Sequence, residues 1–82
     1  MNNQHGHHSY YVYMSEYDSS KGQELRMWAR ENGDFNLISV ARGENPSMYV
    51  YATPEMMEKM KNTFSWVLTY RRDPLKLYLI LE

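Results

Sequence analysis

The chain has 82 residues, 43% of them hydrophobic and 23% charged. That is room for one small domain with a core, and it is too apolar for a disordered chain. It has no cysteine and a formal net charge of −1, which excludes disulfides and thiolate metal sites and removes the overall basic excess of most nucleic-acid binders. No apolar run approaches the roughly 20 residues of a membrane span, and the polar start MNNQHGHH lacks the basic-then-apolar order of a secretory signal, so a cytoplasmic location is expected.

Residues 1–8 read as a mobile tail, with one α+β domain over 9–82. Removing the tail is then expected to leave stability unchanged. Ser9 to Tyr17 alternates and is rich in tyrosine and valine, a strand pattern. Residues 20–32 favour a helix: Ser20 stands as N-cap with Gln23 three positions on, Leu25, Trp28 and Ala29 form a stripe, and Asn32-Gly33 is the stop. The competing reading pairs two strands across Asn32-Gly33 as a hairpin turn. Phe35–Arg42 and Met48–Ala52 are strands joined through Gly43-Glu44-Asn45-Pro46. Thr53-Pro54-Glu55 is a helix start with an N-cap, a proline at the first position and an acid in the first turn. The apolar spacing of Met57, Met60, Phe64, Val67 and Leu68 predicts a helix that runs to Arg71-Arg72. Leu75, Leu77, Leu79 and Leu81 alternate as the last strand.

The order β-α-β-β-α-β defines a ferredoxin-like sandwich with both helices on one face of the sheet. The alternative is an antiparallel meander packed on one long helix. Parity along the strands assigns Val12, Met14, Ile38, Val40, Met48, Val50, Leu77, Leu79 and Leu81 to the core. The other parity carries Tyr11, Tyr13, Phe35, Leu37, Tyr49, Tyr51, Tyr78 and Ile80. In this fold the first and third strands lie side by side at the sheet centre. Tyr11, Tyr13, Tyr49 and Tyr51 then form an aromatic platform that no helix covers, too large an apolar patch to be left without a partner.

Three occupants compete for that platform. A protein partner suits tyrosine, which offers much contact area at little entropic cost. A second copy of the chain would stack the two sheets as a homodimer. Single-stranded RNA or DNA would stack bases on the rings, at about 1–3 kcal/mol each. The stretch SMYVYATPEMMEKM resembles the third strand and second helix of the RNA recognition motif, and YYVYM its first strand. The resemblance implies base stacking on Tyr49, Tyr51 and the tyrosines of the first strand. Asn45-Pro46-Ser47 stands where that family has a basic residue and glycines, and the net charge disfavours nucleic acid.

The remaining constellations are weaker. Arg71, Arg72 and Lys76 make a local basic cluster, with Arg42 at the sheet rim, suited to an acidic partner or to phosphate. His5, His7 and His8 lack a carboxylate or thiolate to complete a metal site. Asp18 at the end of the first strand reads as a turn residue before a metal ligand. Met56 falls off the helix stripe and reads as a surface residue. There is no Gly-rich phosphate loop, no cysteine nucleophile, no HExxH and no GxSxG. The expectation is a non-enzymatic regulator or inhibitor, of the kind phages and mobile elements encode, that needs no cofactor and binds a protein through Tyr11, Tyr13, Tyr49, Tyr51, Tyr78, Phe35, Arg42, Arg71, Arg72 and Lys76.

Overall fold

The computed structural model describes residues 6–74. Four strands and two helices follow one another as β1 (His8–Met14), α1 (Ser19–Asn32), β2 (Phe35–Ala41), β3 (Ser47–Ala52), α2 (Pro54–Thr63) and β4 (Val67–Arg72). The strands form one antiparallel sheet in the order β2-β3-β1-β4. This is an α+β arrangement compatible with a ferredoxin-like sandwich. The proposed last strand, with Leu75, Lys76, Leu77, Tyr78, Leu79, Ile80 and Leu81, lies outside the described residues.

The helix over the ambiguous segment forms, and its cap lies earlier than Ser20. Asp18 is the N-cap: its side chain accepts from the Lys21 backbone N–H at 2.9 Å. That hydrogen bond, ahead of the nearby Lys21 charge, holds the Asp18 carboxyl below its ordinary range. At the other end Gly33, at φ 74°, donates its N–H to the Ala29 carbonyl at 2.8 Å. The positive φ is one that glycine adopts without strain. Asn32-Gly33 therefore ends a helix, and the hairpin reading fails. Thr53 caps α2, accepting from the Met56 N–H, with Pro54 at the first helical position, as the sequence predicts.

Helix α2 is shorter than its apolar spacing suggests. It stops at Thr63, and Phe64 is already extended at φ −111° and ψ 110°. Val67 and Leu68, expected on the helix, belong to β4. The run Thr63-Phe64-Ser65-Trp66-Val67-Leu68-Thr69-Tyr70 is dense in β-branched and aromatic residues, which lose χ1 freedom in a helix and pack well in a strand.

The core lies between the helices and one face of the sheet. It joins Val12 and Met14 of β1, Met48, Val50 and Ala52 of β3, Leu25 of α1, and Met57, Met60 and Phe64 at α2. Met56 is also buried and belongs to the core cluster, so it is not a surface residue. Trp28 closes the α1–α2 seam, with its ring edge-on to Phe35 at 5.5 Å and to Phe64 at 5.6 Å.

Parity inverts on β2. The register shifts between Leu37 and Ser39, a bulge that gives Ile38 no place in the alternation. Phe35, opposite Ala52, and Leu37, opposite Val50, face the helices together with Val40, opposite Met48. Phe35 is buried and Leu37 half-buried against the core, while Ile38 is exposed. Phe35 is thus a core residue and not part of a binding face, and Ile38 is not core. A second register shift, opposite Tyr13 and Met14, leaves Leu68 of β4 exposed. The N-terminal boundary also moves: His8 already pairs with Ala52 in β1.

Candidate binding face of the sheet

Strand alternation sends Tyr10, Val12 and Met14 to the helices and Tyr11 and Tyr13 to the opposite face. Tyr11 stands directly opposite Tyr49 of β3, and Tyr51 stands opposite Ser9. On the other side of β1, Tyr11 is opposite Arg71 and Tyr13 opposite Thr69. The expected clustering of the four tyrosines at the centre of the helix-free face is therefore present, and Arg71 joins them.

The cluster is built from specific contacts. The Arg71 guanidinium carbon lies 4.9 Å from the Tyr11 ring centroid, and Arg71 Nε donates to Tyr13 Oη at 2.9 Å. One cation thus fixes two tyrosines. The Tyr13 hydroxyl in turn raises the pKa of the guanidinium, which is charged at any working pH. The Tyr11 hydroxyl is pushed up, first by desolvation and then by the neighbouring Asp73 carboxylate and Tyr49.

Tyr49 differs from the other three. It is only 8% exposed, so it is not an open stacking surface. Its ring centroid lies 4.9 Å from that of Tyr11, tilted by 52°. Its hydroxyl donates to Asp73 Oδ2 at 2.6 Å. Asp73 is buried beside Ser9, whose carbonyl accepts the Asp73 N–H at 2.8 Å. The Tyr49–Asp73 bond therefore spans the central strand β1, over the small side chain of Ser9. Tyr51 carries the His7 ring stacked at 5.3 Å, and His7 Nε2 approaches Asp34 Oδ1 at 3.6 Å. His7 is thus packed on this face and is not part of a free tail.

The other expected residues do not join the cluster. Arg72 stands opposite Tyr10, on the helix side. Arg42 lies beyond β2, with its guanidinium 5.6 Å from the Tyr17 ring. Tyr78 and Lys76 are outside the described residues. Asp73, Ser9 and His7 are members that the sequence reading missed. Asp73 shares the parity of Arg71 and becomes legible once Val67–Arg72 is taken as a strand. Among the described residues no group of three His, Asp or Glu side chains is placed to hold a metal ion, and no helix is long and apolar enough to cross a membrane. No protein-family model, curated protein or solved structure matches this chain.

Proposed function

We propose that this chain is a small, non-enzymatic, cytoplasmic binding protein with a ferredoxin-like βαββαβ fold that regulates or inhibits a protein partner through the sheet face of Tyr11, Tyr13, Tyr51 and Arg71. The observation that carries the reading is the arrangement of Arg71 over Tyr11 and on the Tyr13 hydroxyl. Tyrosine and arginine dominate the energetics of protein interfaces, and side chains already held in place lose less entropy on binding. The buried Tyr49 ring and the Asp73 carboxylate beside it weigh against bases and phosphates on the same face.

The test is a Tyr13→Ser/Arg71→Ser variant. Both side chains lie on the face away from the helices, so the fold should survive. Capture from a native lysate, with and without nuclease, should return a nuclease-resistant protein partner for the parent chain. The variant should lose it, since each interface truncation of this kind commonly costs more than about 1 kcal/mol. Co-purified nucleic acid would replace this reading with single-strand binding. A dimer that becomes a monomer in sedimentation, with no other partner lost, would make the face a homodimer seam.

A further inference from the structure

A second candidate site lies at the β2 edge of the sheet, away from the tyrosine cluster. Among the described residues, strand β2 pairs with β3 on one side and with no strand on the other. Between this edge and α1 runs a groove of about 570 Å³, within the size range of ligand clefts. Its accessible apolar floor is Ala29 of α1 and Leu37 and Val40 of β2, half-buried above the buried Leu25 and Phe35, with Asn36 and Ser39 beside them. Its rim carries three cations, Arg26 and Arg30 from α1 and Arg42 from the end of β2.

Among the described residues only Arg42 has a partner for its charge, the Tyr17 ring 5.6 Å from its guanidinium. Arg26 and Arg30 are spaced i, i+4, where like charges repel across a helix face. Among the described residues none of the three guanidiniums forms an ion pair, and no acidic residue lines the groove. Three of the nine lysines and arginines of a chain with net charge −1 are thus gathered around one apolar cleft.

We propose that this groove binds an extended acidic peptide segment of a partner protein, one that alternates apolar and carboxylate side chains. A period of two places apolar side chains on the floor and carboxylates against Arg26, Arg30 and Arg42, where arginine can accept them in bidentate geometry. The bulge at Ile38 interrupts the backbone ladder at this edge, so the segment lies in the groove without joining the sheet, and charge and floor contacts supply the selectivity. A nucleic-acid strand fits less well. Two aromatic side chains line the groove: Phe35 is buried with its ring against Trp28, and the half-buried Tyr17 ring already carries the Arg42 guanidinium at 5.6 Å, so neither offers a free face on which a base could stack.

The experiment titrates isotope-labelled full chain with a six-residue peptide alternating leucine and glutamate, and separately with its lysine counterpart and with an oligothymidine. The expected result is that only the acidic peptide moves the amide signals of Ala29, Arg30, Leu37 and Ile38, while those of Tyr51 and Arg71 stay in place. Arg26→Glu/Arg30→Glu should weaken binding by about tenfold or more, the equivalent of one charge-assisted hydrogen bond. Both residues are exposed, so the variant should stay folded, with a small drop in melting temperature because Arg30 stands in the last turn of α1, where a carboxylate opposes the helix dipole; Arg42→Glu provides the same reading without altering α1. Equal binding of the lysine peptide, stronger binding of the oligothymidine, shifts confined to the tyrosine face, or no shift with the acidic peptide would each overturn the proposal.

Discussion

Gly22 sits one turn inside α1, where glycine costs about 1 kcal/mol relative to alanine. Its place is explained by Tyr17. A Cβ at position 22 would lie 2.5 Å from Tyr17 Oη and 3.2 Å from Tyr17 Cζ, closer than packed atoms allow. The Tyr17 hydroxyl is buried there with no hydrogen-bond partner among the described residues, and its ring meets the edge of Trp66 at 6.1 Å. Gly22→Ala should therefore lower stability by about 1 kcal/mol in spite of the gain in helix propensity, because Tyr17 must give up its packing. Tyr17→Phe should be neutral or stabilising, since it removes a buried unpaired hydroxyl. The double variant should be more stable than the sum of the singles by about 0.5 kcal/mol or more. Urea unfolding of the four proteins, followed by tryptophan fluorescence, measures this; strict additivity would show that Tyr17 does not constrain Gly22.

At the scale of elements, what was legible in the sequence is what local chemistry decides. The α1 stop at Gly33, the Thr53-Pro54 start of α2 and the alternation of β1 and β3 each follow from a few adjacent residues. So does the tyrosine cluster, because Tyr11 and Tyr49 lie on regular central strands whose parity is unbroken. The edge strands were not legible. The bulges beside Ile38 and Leu68 arise from pairing with a distant strand and have no local mark, and one extra residue reverses the side of everything before or after it. That is why unbroken parity puts Phe35 on the binding face and Ile38 in the core, the reverse of where the structure has them. The α2–β4 boundary was missed because Phe64, Val67 and Leu68 fit helical spacing as well as a strand end. The N-terminal boundary carries its own prediction. His8 is paired in β1, and His7 stacks on Tyr51 and reaches Asp34. A chain beginning at Ser9 should be less stable than the full chain by about 1–2 kcal/mol, and His7→Ala should account for part of that loss. Equal melting temperatures would show that neither histidine supports the sheet.

At the scale of the whole molecule, the sheet is held to α2 by a contact that titrates. Tyr70 of β4 donates its hydroxyl to Glu58 Oε2 of α2 at 2.9 Å, and its ring meets Tyr10 edge-on at 5.6 Å. Desolvation first, then the hydrogen bond and the charge of Glu58, push the Tyr70 pKa from 10.0 to about 12. Burial also raises Tyr10, against the lowering effect of Arg72. Both shifts favour the neutral phenol in the folded state. The stability they represent is fully present below the unfolded value near 10 and is lost as pH rises through the folded values. The melting temperature should therefore fall between pH 10 and about 12 as the α2–β4 fastening ionises. Tyr70→Phe should cost about 1 kcal/mol or less at neutral pH, because the bond is solvent-exposed. The same variant should lose less stability between pH 10 and 12, so its melting curve approaches that of the parent chain. The alkaline loss comes first from the burial of the phenol and then from its bond to Glu58, whereas the cost at neutral pH reports the bond alone, so the first effect should be the larger. Thermal melts of both proteins across that range, with phenolate absorbance recorded alongside, provide the check. Parallel curves would mean that the Tyr70 phenol is no better protected in the folded chain than in the unfolded one, and that the Glu58 bond adds nothing to the hold that the buried Met56, Met57 and Met60 give α2.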